Sequence, residues 1–152
     1  MNKQAVTEIE FVTAWIAGQL FGIPITRVHD VFEAERITHV PLAPPEISGV
    51  LNLRGRVVTA LDMRKRLGLP PREDAKKQMA IGIDHDGEAY GLLVDSMGEV
   101  LKLAADALDT VPINLQKDWA AISAGIYRLE DRLMMVLDVD RILDFRKDTL
   151  AA

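Results

Sequence analysis

Residues 49–67 read GVLNLRGRVVTALDMRKRL, and residues 125–143 read GIYRLEDRLMMVLDVDRIL. At a constant offset of 76 they share Gly49/Gly125, Leu53/Leu129, Arg56/Arg132, Leu61/Leu137, Asp62/Asp138 and Leu67/Leu143. Six identities in nineteen positions stand where ordinary composition gives about one. Both segments follow one plan: an apolar run, a turn at Arg54-Gly55 or Glu130-Asp131, a second apolar run, then an Asp placed to cap a short helix. Upstream, Phe21-Gly22-Ile23 with Val28, Asp30 and Val31 parallels Tyr90-Gly91-Leu92 with Met97, Glu99 and Val100 at offset 69. The order is the same in both halves, so the chain reads as a duplication of a β unit. Two related subdomains then bury a shared face, and the cleft between them is the natural binding place.

Outward from this repeat, β-branched and aromatic runs bounded by turn residues predict further hairpins. Residues 9–17 and 20–25 flank a turn at Gly18-Gln19, and residues 79–84 and 88–94 flank Asp84-His85-Asp86-Gly87. Pro41, Pro44 and Pro45 mark an irregular crossing. The charged, proline-bearing stretch 70–77 reads as a linker and places the subdomain boundary there. Many short strands with regular turns mean a sandwich or barrel.

Composition removes whole classes of function. There is no cysteine, hence no disulfide, thiolate metal site or cysteine nucleophile. A net charge of -5 and 5% aromatics oppose phosphate neutralisation and base stacking, so nucleic acid is not an expected partner. No apolar run reaches the length of a membrane span, and Glu8 and Glu10 stand where a signal peptide would carry basic residues. A soluble, cytoplasmic protein is expected.

Candidate chemistry is sparse. His29, His39 and His85 have no metal-site spacing, and Asp84, Asp86 and Asp95 miss the glycine a calcium loop requires. Ser48 and Ser96 lack a glycine elbow, and no phosphate-cradling glycine motif occurs. Asp62 and Asp138 read as helix caps rather than an acid/base pair. Arg54, Arg56, Arg64, Lys65 and Arg66 read as a solvated face, with Arg54 singled out because a guanidinium at a hairpin end can hold carbonyls or a carboxylate. One of Met134 and Met135 is expected in the core, the other covering an exposed face or a partner. Trp15 and Trp119 read as packing residues. No cofactor and no metal are expected.

Phe21-Gly22-Ile23 leading to Val28-His29-Asp30-Val31, the prolines at 41 and 44, Gly49-Val50-Leu51-Asn52-Leu53-Arg54-Gly55, Leu61-Asp62, Gly91-Leu92-Leu93-Val94-Asp95 and Leu137-Asp138 form a pattern. It resembles, nearly end to end, the CheW coupling proteins of bacterial chemotaxis. The resemblance implies an all-β fold with short helices: two pseudo-symmetric, intertwined, five-stranded SH3-like barrels. They would span approximately 18–70 and 76–145, with terminal segments open to exchange between them. It implies no enzymatic activity and two partners, the cytoplasmic tip of a methyl-accepting chemotaxis receptor and the regulatory domain of the histidine kinase CheA. The protein would sit in the cytoplasm beside membrane-bound receptor arrays, without direct membrane insertion. Receptor contacts are implied at Val28, Asp30 and Val31 in the groove between subdomains, with Gly49 and Arg54 affecting signalling. By repeat logic Met97 and Val100 line the opposite wall. The motif does not name the kinase contacts. The alternative partner system is a non-flagellar chemosensory kinase pathway for surface motility or gene control. The chain departs from the usual family pattern at His29-Asp30 and at Thr59-Ala60.

Overall fold

The computed structural model describes residues 7–72 and 77–144. Ten strands and three short helices follow in order: β1 (Glu8–Ile16), β2 (Gln19–Pro24), β3 (Asp30–Ala34), β4 (Ile47–Leu53), β5 (Arg56–Asp62), α1 (Met63–Arg66), β6 (Gln78–His85), β7 (Glu88–Val94), β8 (Ser96–Ala104), α2 (Lys117–Ile122), β9 (Ser123–Arg128), β10 (Leu133–Leu137) and α3 (Val139–Ile142).

Turn chemistry sets the local hairpins. Ala17-Gly18, Arg54-Gly55 and Asp86-Gly87 each put two successive residues at positive φ, between 51° and 83°. That is the backbone of a two-residue hairpin whose twist matches the flanking strands. The first turn therefore lies one residue before the expected Gly18-Gln19, because Gly18 is needed at the second left-handed position. The third is shorter than expected, since Asp84 and His85 still pair with Ala89 and Glu88.

The strands form two five-stranded sheets, β8-β1-β2-β10-β9 and β3-β6-β7-β5-β4. Equivalent ladders have equivalent registers. Thr59 opposite Tyr90 in the second sheet matches Met135 opposite Phe21 in the first, and Val31 opposite Ile81 matches Val100 opposite Val12. With residues 8–67 as the first repeat and 77–143 as the second, each sheet combines one repeat's leading hairpin with three strands of the other. The boundary expected near 70–76 separates the sequence repeats but is not where the chain changes sheet. The second sheet takes β3 to β7 continuously, and the first takes β1 and β2 from one end and β8 to β10 from the other. Residues 73–76 of the expected linker lie outside the described residues. The offset between repeats grows from 69 to 76 because the second crossing carries α2, whose Trp119 packs on Phe21 and donates its indole N–H to the Leu67 carbonyl at 2.9 Å.

Alternation along the strands supplies three cores. Val12, Phe21, Ile81, Leu92, Met135 and Leu137 belong to a cluster shared by both sheets. Phe32, Leu51, Val58 and Leu93 form a smaller core inside the second sheet, and Phe11, Leu20, Tyr127 and Met134 one inside the first. Because both faces of β10 are covered, Met134 and Met135 are both buried, on opposite faces; neither is left for a surface. The same double coverage makes the central strands read as continuous apolar runs.

Asp62 and Asp138 cap α1 and α3, Asp62 accepting from the Arg64 and Lys65 amides and Asp138 from the Arg141 amide. The basic string is not uniformly solvated. Arg64 makes a two-point pair with Asp95, Nε to Oδ1 3.0 Å and Nη2 to Oδ2 2.7 Å, and Arg66 donates to the Ile142 and Arg141 carbonyls of α3. Asp95 also accepts from the Ala17 amide. Burial pushes the Asp95 pKa up, but the Arg64 and Ala17 hydrogen bonds and the charges of Arg64 and Arg72 outweigh it and leave the carboxyl below its ordinary value.

Gly49 and Gly125 sit at equivalent places, both with φ +152°, and a Cβ there would strike the Thr38 or Asp109 carbonyl. This close approach lets residues 38 and 109 bond in both directions to Val50 and Ile126. Gly125→Ala is expected to cost at least about 2 kcal/mol in urea unfolding, from the backbone collision and the unfavourable φ. A lowered carboxyl pKa gives stability that is present above the unfolded pKa and lost as pH falls through the folded one. Asp95→Asn should therefore lower stability at pH 7 by about 1–3 kcal/mol. Its stability should also fall less than the wild type's as pH drops below 3.8, the ordinary carboxyl value, in urea titrations at pH 7 and pH 3.

Candidate functional site

The seven residues singled out in the sequence fall into four settings. Val31 and Val100 occupy matching positions on β3 and β8, the two edge strands that open the sheet orders. Their cross-strand partners Ile81 and Val12 belong to the shared core. Cross-strand partners share a face, so each valine lies on the side its sheet turns toward the other. They are nevertheless 41% and 55% exposed. Val28 and Met97 sit deeper, half-buried and packed against the shared core. They anchor these edges from beneath.

Asp30 and Arg54 come together elsewhere, at the open mouth of the second sheet, in a recess also lined by His29, Arg56, Asp84 and Phe32. Arg56 pairs with Asp84 at 2.6 Å, and His29 stands 3.9 Å from Asp30 and 4.0 Å from Asp84. Asp30 fits beside β6 because Gly82 opposite it has no side chain; a Cβ there would strike the Asp30 carboxylate. Arg54 projects from the hairpin tip at φ 54° and is exposed. It does not hold the turn: the Asn52 side chain does, accepting the Gly55 N–H at 2.9 Å. Gly49 is buried, so it serves the fold through the Thr38 approach and offers no surface.

The first sheet has the matching mouth, lined by Thr13, Trp15, Met97, Glu99, Leu101 and Arg132 among others. Arg132 occupies the place of Arg56, but its guanidinium lies over the Trp15 ring, 5.0 Å from the centroid, where the second sheet has Asp84. The two mouths thus share a cation and differ in what lies across the sheet from it, a carboxylate at one end and an indole at the other, and Arg132 is also held by its neighbour Asp131 at 3.1 and 2.8 Å.

Sequence reasoning passed over several exposed apolar residues. Val57 and Leu133 match at offset 76, and the fully exposed Leu42 and Ile113 each follow a proline, Pro41 and Pro112, in the two crossings. For Val57 and Leu133 the signal is the repeat itself, since exposure at both copies marks a position the fold does not cover; Leu42 and Ile113 share only the preceding proline. Among the described residues, no His, Asp or Glu side chains gather as a metal site, and no helix is long and apolar enough to cross a membrane.

Comparison with known proteins agrees with this architecture. A family model described as the CheW-like domain matches residues 10–147. The chemotaxis protein CheW of Bacillus subtilis is 30% identical over 144 residues, covering 95% of this chain and 92% of its own. The chemotaxis protein CheW of Thermotoga maritima is 30% identical over 140 residues, covering 92% and 91%. The crystal structure of the scaffolding protein TtCheW from Thermoanaerobacter tengcongensis superposes with a TM-score of 0.78 at 28% identity, over 90% of this chain and 88% of that one. By the extent of the family match and the paired five-stranded sheets, this chain belongs to the CheW-like domain family.

Proposed function

We propose that this chain is a chemotaxis scaffold that couples the cytoplasmic tip of a methyl-accepting receptor to the regulatory domain of the kinase CheA, working by reversible association alone. The observation that carries the reading is the match of the family and of its scaffolding member over nine-tenths of the chain. The surfaces are consistent with that role. A scaffold must hold its shape while offering more than one face. Here the cores occupy both sides of each sheet, while edge strands and sheet mouths remain open.

For the receptor we assign the edges carrying Val31 and Val100. A helical ridge laid between them would cover two valines that the fold leaves half in water, helix-in-groove fashion. Asp30, beside Val31, supplies a carboxylate at the rim that can meet a basic side chain of the receptor. Val28 and Met97 contribute by holding the edges in place. Arg54 lies at the second sheet's mouth and acts through the charged recess it shares with Asp30. The kinase domain would then engage a surface away from the Val31 and Val100 edges.

The test is binding of the purified protein to a soluble receptor-tip fragment and to the kinase regulatory domain, measured separately. Val31→Glu and Val100→Glu should each weaken the receptor fragment at least about tenfold, since each puts a charge into an apolar contact. Kinase binding should be unchanged. Arg54→Ala should alter coupling while shifting Tm by less than about 2 °C, as expected for an exposed surface side chain. Wild-type binding to neither partner would overturn the proposal, and full receptor binding by both valine variants would remove the edge assignment.

A further inference from the structure

Two sets of ion pairs that join the two repeats, at the helix ends and at the sheet edges, obey a rule of polarity. On α1, Arg64 of the first repeat holds Asp95 of the second, with both side chains less than one-fifth exposed. Carried across by the repeat, Arg64 corresponds to Asp140, and Asp95 to Thr26, the neighbour of Arg27. At that second place Asp140 on α3 pairs with Arg27 at 3.1 Å. One location in the fold is therefore used twice with the charges reversed, so that the first repeat carries both cations and the second both anions.

The sheet edges follow the same rule with opposite sign. Glu33 of the first repeat pairs with Lys77 of the second at 3.2 Å. Their counterparts are Lys102 and Glu8, and in the ladder of β1 with β8 Lys102 stands opposite Glu10.

Two similar repeats can pair unlike with unlike, inside one chain or by exchange between copies, or like with like between two copies. The apolar core discriminates weakly, because corresponding positions hold similar residues: Leu61 and Leu137, Phe21 and Tyr90, Leu67 and Leu143. The charges at the helix ends and sheet edges discriminate, whereas the Arg56–Asp84 pair does not, since its counterpart is Arg132 over Trp15. Two first repeats would set Arg64 against Arg27 and Glu33 against Glu8. Two second repeats would set Asp140 against Asp95 and Lys102 against Lys77. Individual exposed pairs contribute little, but specificity is the difference between attraction in one pairing and repulsion in the other.

We propose that these reversed-polarity pairs are a key that makes the repeats join unlike with unlike, and that keeps this chain from assembling with a second copy through matched repeats. The test uses the full chain and its mass by light scattering on a sizing column. In the double variant Arg64→Asp/Asp140→Arg, the native pairing sets the carboxylate introduced on α1 against Asp95 and the guanidinium introduced on α3 against Arg27, whereas the like-with-like pairing becomes attractive at both places. This variant should show at least twice the wild-type mass while keeping a cooperative thermal transition. Adding Arg27→Asp and Asp95→Arg inverts the whole helix-end key, and that quadruple variant should return to the wild-type mass. A double variant that keeps the wild-type mass, or that fails to fold at any concentration, overturns the proposal; so does a quadruple variant that stays assembled.

Discussion

The parallel pairings of β2 with β10 and of β5 with β7 hold the two repeats in one molecule. Among the described residues, the only ladders between strands of one repeat are the local hairpins β1–β2, β4–β5, β6–β7 and β9–β10. Every other ladder there, including β1 with β8 and β3 with β6, joins strands of different repeats. An isolated two-stranded hairpin is marginal in water, so the pieces of either repeat gain a sheet only by accepting strands from the other. The shared core completes the dependence, since Phe21 and Leu137 bury their side chains against Ile81 and Leu92 in one cluster.

This interlocking explains where the polar interactions sit. The hydrogen-bonded caps at Asp62 and Asp138 turn the chain from the last strand of each repeat into a helix beside the other repeat. There Arg64, Arg66 and Asp140 reach across to Asp95, the α3 carbonyls and Arg27. The pair of Arg64 with Asp95 is partly buried and two-pointed, the geometry in which a guanidinium and a carboxylate interact most strongly. A carboxylate that holds the β1–β2 turn through the Ala17 amide and α1 through Arg64 ties three separated segments at one point.

Duplication also shapes what is left for partners. Once the interlocked sheets have covered their faces, the remaining apolar exposure includes two repeat-related pairs, Val31 with Val100 and Val57 with Leu133, together with Leu42 and Ile113 in the two crossings and Ile25 and Leu108 beside the sheets. The two ends are alike in backbone and unlike in chemistry. Asp84 facing Arg56 sets a carboxylate across one mouth, while Trp15 under Arg132 sets an indole across the other, where Arg132 is paired with its neighbour Asp131. A molecule with two similar but distinguishable ends can present different surfaces to different partners without changing shape, which suits a scaffold.

Hairpins, caps and the duplication were legible in the sequence because they depend on neighbours. Gly55 and Gly87 announce left-handed turns, Asp62 and Asp138 announce helix starts, and the offsets of 69 and 76 announce two copies of one unit. Local sequence could not say which hairpin joins which sheet, because a strand's outer hydrogen bonds are satisfied equally by a ladder from its own repeat or from the other. It likewise could not separate the valines that face water, Val31 and Val100, from those that pack beneath them, nor show that Gly49 is buried against Thr38 while Arg54 stands free of its own turn. Those outcomes were decided by the tertiary structure, through non-local strand pairing and burial of a common face, which bring together residues that lie far apart along the chain.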